Sequence, residues 1–174
     1  MSKLRGRLVS LRPATDADVE VLVAIRVTPE VRSRWRGDAL EAEVREAIDD
    51  PELHVLVVED ASGAVIGAIQ WAAEEEPDYH HASVDLFLHP VVHGRGYGTD
   101  AARTLCRHLV RVMGFHRLTI DPATDNIAAI RCYTKIGFRR VGIMREYERG
   151  LDGAWHDGLL MDLLADDLRD DDET

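Results

Sequence analysis

No run of eighteen apolar residues occurs in this chain, so the sequence offers no candidate transmembrane helix. The opening stretch MSKLRGRLVSLRP is positively charged but has no apolar h-region, which predicts that no secretory signal is present. Cysteine is scarce. Cys106 and Cys132 fall within helical patterns at no metal-ligand spacing, which predicts reduced, buried thiols in a cytoplasmic protein and no metal site. Internal repeats and low-complexity linkers are also lacking. Basic residues are the minority: 21 Lys and Arg stand against 32 Asp and Glu, for a formal charge of -11 at pH 7. That balance argues against nucleic acid as the main partner and suits a cationic ligand. Part of the excess is local. The end, ADDLRDDDET, reads as a solvated acidic tail over 166–174, which leaves one domain over 1–165.

What is present supports a packed core without staples, since 45% of the 174 residues are hydrophobic. Leu8 to Leu11 reads as a short strand before Pro13. Asp16 and Asp18 then open a helix with Val19, Leu22 and Ile25 on its apolar face. A weaker helical pattern ends at Asp50-Pro51, with Trp35 among arginines between the two. The Trp35 region is either a lid or an anchor between two packing helices. Val55 to Val58 and Val65 to Trp71 form a hairpin, and a third strand runs to Leu88. Helices are predicted over 99–113 and 126–135, with a strand at 116–121 between them. Strand-like stretches at 138–147 and in HDGLLMDLLA close the chain as an antiparallel pair. The sum is an α/β (α+β) domain: a mixed, centrally splayed sheet of about seven strands, ending in a β-α-β-α-β unit, with helices on both faces. Exposed edges near the C-terminal strands leave monomer and homodimer both open.

One stretch, VDLFLHPVVHGRGYG at 84–98, organises the rest. A strand-like run leads into glycines at 94, 96 and 98, and an apolar-periodic helix follows at once. Strand, glycine turn and helix place free backbone N–H groups where a phosphate can sit. Glycines also make ordinary turns, so the bare pattern leaves both readings standing. Asp85 is conspicuous, because an unpaired carboxylate in an apolar strand is costly to bury.

Taken in order, HGRGYGTDAARTL and DPATDNIAAIRCYTKIGFRRVG resemble the GCN5-related N-acetyltransferase family, from about Ile66 to the last strand. GAIQWAAEEEPDYHHASVDLFL and DGAWHDGLLMDLLA add a narrower resemblance to the aminoglycoside 6'-N-acetyltransferases within it. One departure stands out: three residues before Gly96 the family usually has Gln or Arg, and here it is His93. The resemblance implies acetyl-CoA as cofactor and acetylation of an amine on a polycationic small molecule, the 6'-amine of an aminoglycoside first. Siderophore-type, polyamine, protein or other amine acetylation is the alternative, as is a non-catalytic acyl-CoA-binding regulator.

The same resemblance assigns sites. Backbone N–H groups of His93, Gly94, Arg95, Gly96, Tyr97 and Gly98 would hold the cofactor pyrophosphate, with side-chain help from Arg95 and Thr99. The exposed backbone of Leu86, Phe87 and Leu88 would pair with pantetheine as an added strand. Tyr133 would be the general acid toward sulfur, its alternative being a core tyrosine. Asn126 would cap its helix, touch the cofactor arm, or both. Asp85 would act as base on the acceptor amine, directly or through water, or else make a surface ion pair. Asp121 would bind a second ammonium or simply form a turn before Pro122. Glu74, Glu75, Asp152 and Asp157 are candidates for the substrate rim, with a solvated charge run as the alternative for the glutamates. Trp71 and Trp155 either stack on a sugar or fill the core. No nucleophile with a spaced base is apparent, so direct attack with acid and base help is the economical chemistry.

Overall fold

The computed structural model describes residues 2–170. Among them lies one eight-stranded sheet in the order β1-β2-β3-β4-β5-β6-β8-β7. The strands are β1 (Leu4–Arg5), β2 (Ser10–Pro13), β3 (Leu53–Glu59), β4 (Val65–Glu74), β5 (His81–Leu88), β6 (Arg117–Ile120), β7 (Arg139–Arg149) and β8 (Trp155–Leu164). The helices are α1 (Val19–Arg26), α2 (Pro29–Arg32), α3 (Leu40–Asp49), α4 (Tyr97–Arg111) and α5 (Ile127–Ile136). No helix among the described residues is long and apolar enough to cross a membrane.

Period-two alternation along the strands divides the core between the two faces. Leu56, Val58, Ile69, Val84 and Leu88 pack with the apolar faces of α4 and α5, notably Leu105, Leu109, Ile130 and Ile136. Their neighbours Val57, Ala68 and Phe87 point the other way, against Val19, Leu22, Ile25 and Val44 of α1 and α3. Helices therefore cover both faces.

The sheet has eight strands rather than seven because 8–11 is not a lone strand. The chain folds back at Gly6, whose N–H donates to the Val9 carbonyl at 2.8 Å, to pair β1 with β2. The turn is held from far along the chain. Asp100, buried in the first turn of α4, accepts from the backbone N–H groups of Arg7, Leu8 and Val9 at 3.1, 2.8 and 3.0 Å. Replacing Asp100 with Ala strands those three donors. It should lower unfolding free energy by about 3 kcal/mol in a urea titration, with no change in the slope.

The closing unit keeps the expected β-α-β-α-β order and the expected antiparallel pair, with one addition in the sheet order. β8 inserts between β6 and β7 and pairs antiparallel with both. An interior strand keeps at least one face on the core. Leu159, Met161 and Leu163 of β8 are buried, whereas β7 is charge-rich and almost wholly exposed, as suits an edge.

The tail, as far as it is described, is docked rather than solvated. Arg169 N–H donates to the Ile136 carbonyl, Asp167 pairs with Arg139, and Asp170 pairs with Arg111 at 2.6 Å and with Arg107 at 3.5 Å. Residues 171–174 of the predicted tail lie outside the described residues.

Candidate active site

The single parallel contact in the sheet creates an opening. β5 and β6 pair only at Ala82–Leu118 and Ser83–Thr119, then part. Two residues further on, β5 carries Asp85 and the chain leaving β6 carries Asp121, so the two carboxyls flank the mouth of the splay. The free edge of β5 continues through Leu86, Phe87 and Leu88 into the glycine loop.

That loop has the form of an anion cradle. Gly94 and Gly96 adopt φ of +74° and +85°, in the left-handed region where a side chain is strained. Gly96 is the N-cap of α4 and offers no side chain to its first turn, so the helix-start N–H groups stay available to a ligand. Gly98 differs: it lies inside the helix, which starts at Tyr97, two residues earlier than predicted. A Cβ there would meet only Leu88 and Cys132 at ordinary contact distance. His93 and Arg95 are exposed on the loop, and the His93 ring Nε2 lies 2.8 Å from the Leu88 carbonyl. Thr99 turns elsewhere: its hydroxyl donates to the Cys132 thiol on α5 at 3.3 Å. Asn126 caps α5 by accepting from Ala129 N–H at 3.2 Å. Its Nδ2 hydrogens have no partner among the described residues.

Asp85 is partly buried, and its Oδ1 accepts from the Leu86 N–H at 2.8 Å. Burial, and then the charges of Asp121 and Glu148, push its carboxyl up to about 7. Tyr133 is buried on α5, tilted against Phe138 with ring centres 5.9 Å apart. Burial first, and Asp85 next, raise its phenol well above the ordinary tyrosine range, so it holds its proton throughout the physiological range. Asp121 accepts a hydrogen bond from the Tyr147 hydroxyl, and this contact raises the Tyr147 phenol to about 12. Glu148 is raised by burial and by Asp121, and lowered by Arg34 and His156.

Tyr147 and Glu148 escaped the sequence reading. They follow an irregular stretch of β7, where Glu146 has a φ of +50° and the register with β8 shifts between Met144 and Glu148. Alternation cannot be read across such a slip. Asp157 holds the irregularity by accepting from the Glu146 N–H at 2.8 Å. Tyr147 lies close over Gly158, where a Cβ would fall 2.8 Å from its ring.

Of the other predicted substrate residues, Asp152 lines the cavity beside the carboxyl cluster, whereas Trp71, Glu74 and Glu75 lie elsewhere. Trp71 is a core residue, 4% exposed, stacked on His54 and edge-on to Phe115, so no sugar reaches it. Glu74 ends β4 opposite His81, four strand positions from Asp85, or roughly 13 Å. Its carboxylate accepts from the Glu76 N–H in the exposed turn, and Glu75 is exposed beside it. Asp152 is paired with His156 at 3.0 Å, which lowers its carboxyl and raises the imidazole.

A cavity of about 430 Å³ opens beside the carboxyl cluster, lined by Arg34, Thr124, Asp125, Glu148 and His156 among others. The segment after α2 spans its rim. Arg34 pairs with Asp125 at 2.5 Å, Trp35 packs edge-on to Phe87 of β5, and Arg36 donates to the Arg149 carbonyl at 3.1 Å. Trp35 is thus an anchor.

Comparison with known proteins adds lineage to this geometry. A profile of the acetyltransferase (GNAT) domain matches residues 8–139. The aminoglycoside N(6')-acetyltransferase type 1 of Klebsiella pneumoniae is 37% identical over 70 residues, which are 40% of this chain and 35% of that enzyme's length. A structure of aminoglycoside acetyltransferase AAC(6')-Ib with coenzyme A superposes with a TM-score of 0.74 at 25% identity, covering 90% of this chain and 94% of that one. Spermidine N-acetyltransferase from Vibrio cholerae, with CoA and spermine, has a TM-score of 0.79 at 20% identity and covers 92% and 97%. At that identity the spermidine enzyme speaks to fold alone. With the domain profile matched across most of the chain and the splayed sheet and glycine loop in place, the protein belongs to the GNAT acetyltransferase family.

Proposed function

We propose that this protein acetylates an amino group of a polycationic small molecule with acetyl-CoA as donor, the 6'-amine of an aminoglycoside being the first choice of acceptor. The grouping of Asp85, Asp121 and Glu148 at the mouth of the splay, beside a cradle for an anionic donor, carries this reading. Three carboxyls on one rim favour an acceptor with more than one ammonium, and their field raises its local concentration. The similarity to the Klebsiella aminoglycoside enzyme supports the choice of acceptor.

Acetyl-CoA supplies an activated thioester when bound. Backbone N–H groups of residues 93–98 would hold its pyrophosphate, and the free edge of Leu86 to Leu88 would align its arm. Asp121 and Glu148 orient the acceptor through its ammonium groups. Asp85, poised near neutrality, takes the proton that the attacking amine must lose. Tyr133, protonated and buried, donates toward the leaving sulfur.

Thiol release from acetyl-CoA tests this across a panel of aminoglycosides, polyamines and peptide N-termini. Turnover confined to polyamines or peptides would overturn the acceptor and keep the chemistry, and no turnover with any amine would overturn both. Glu148→Gln should raise KM for a polycationic acceptor roughly tenfold and leave KM for acetyl-CoA unchanged, since its charge faces only the amine side. That KM should also climb with added salt, and less steeply in the variant.

A further inference from the structure

The free edge of β5 is not bare. His89 N–H donates to the Ile66 carbonyl at 2.8 Å, which fixes the phase of the β4–β5 ladder. By the alternation of an antiparallel pair, Asp85 and Phe87 also bond toward β4, while Leu86 and Leu88 direct their backbone groups to the opposite side. β6 has already parted there, so no strand meets them. Two side chains of the protein do. Asp85 Oδ1 takes the Leu86 N–H and His93 Nε2 meets the Leu88 carbonyl, each at 2.8 Å. These are the first donor and the last acceptor of the open stretch, so the edge is closed at both ends by groups reaching in from β5 itself and from the glycine loop.

We propose that Asp85 and His93 are placeholders on this edge, displaced when the amide-bearing arm of the acyl carrier pairs with it, so that seating the carrier is what frees the Asp85 carboxylate for the amine. The inference rests on the reading that the arm pairs along Leu86 to Leu88. It gives Asp85 two opposed duties: it competes with the carrier before binding and serves the acceptor afterwards. It also couples the carrier to a proton. The groups facing Asp85 are Tyr133 from α5, Asp121 beyond β6, and Tyr147 and Glu148 from β7. Of its contacts, the Leu86 N–H is the one that favours the charged form. Losing that donor raises the proton affinity of the carboxylate, so carrier binding takes up part of a proton near neutral pH.

Calorimetry with coenzyme A, run in two buffers of different ionisation enthalpy, tests both consequences. Asp85→Ala should bind coenzyme A about threefold to tenfold more tightly than the wild type, because a hydrogen bond no longer has to be broken. Its proton uptake should fall below the wild-type value. Asp85→Asn keeps an acceptor for the Leu86 N–H but has no charge, so it should bind close to wild type while losing the same proton uptake. In the wild type alone, the Leu86 amide resonance should titrate with Asp85 and cease to do so once coenzyme A is added, a readout that needs no variant to fold. Equal affinities for wild type and Asp85→Ala, or a Leu86 amide that still follows Asp85 in the complex, would overturn the proposal and leave the site intact. Failure of the wild type to bind coenzyme A would overturn the proposal and the site together.

Discussion

Exchanging Asp85 for asparagine should lower the turnover number by roughly a hundredfold to a thousandfold, the range expected for loss of a general base. The replacement is nearly isosteric and retains an acceptor for the Leu86 N–H, so the loss falls on chemistry rather than on folding. The pH profile carries the sharper signature. A base must be unprotonated to act. With its carboxyl near about 7, Asp85 is largely neutral at pH 6 and largely charged at pH 8. The wild-type rate should therefore rise across that interval. The amine also loses its proton as pH increases, and that rise should survive in the variant at higher pH while the limb near neutrality disappears. Initial rates of thiol release between about pH 5.5 and 9, with both substrates well below saturation so that the profile reports the free enzyme, measure this directly. An unchanged neutral limb in Asp85→Asn would move the base elsewhere in the cluster.

Tyr133→Phe should reduce the turnover number by about a hundredfold, with little change in KM for either substrate. The ring stays, and with it the packing against Phe138 and the core, so an unfolding titration should change by less than about 1 kcal/mol. Because burial holds the phenol protonated far above neutrality, this loss should be the same at every pH from 6 to 9. The two variants thus separate by shape as well as by size: one erases a limb of the profile and the other lowers the whole curve. Full activity in Tyr133→Phe would return the residue to core packing.

The parts of the molecule that were readable in advance are those where local chemistry and final environment agree. The glycines at 94 and 96 signal their own left-handed conformations, Asn126 its cap, and the periodicity of α4 its buried face. Asp85 announced itself by being a carboxylate in an apolar run, and the structure holds it partly buried at the mouth of the splay. The misses share another cause. The hairpin of β1 and β2 depends on a carboxylate more than ninety residues away, and no local pattern encodes that. Glu148 and Tyr147 sit behind a slipped register that breaks the alternation. Trp71 was ambiguous because aromatics serve cores and sugars alike, and only its contacts with His54 and Phe115 decide. Arg107 and Arg111 of α4 pair with Asp170 from the far end of the chain, which again no local pattern encodes.

The position of β8 has a consequence for the order in which the site can be made. During synthesis β7 leaves the ribosome before β8, but in the sheet β8 lies inside it. A nascent chain that has completed β7 still has the edge of β6, with Leu118 and Ile120, open to any passing strand. Everything that shapes the donor side, from β4 through the glycine loop to α5, is by then available. The acceptor side is not, because the Tyr147 contact with Asp121 and the placement of Glu148 depend on β7 being held by β8. Chain order thus makes the glycine-loop side available before the pairing that holds the acidic rim, and β8 both covers the open edge of β6 and fixes β7.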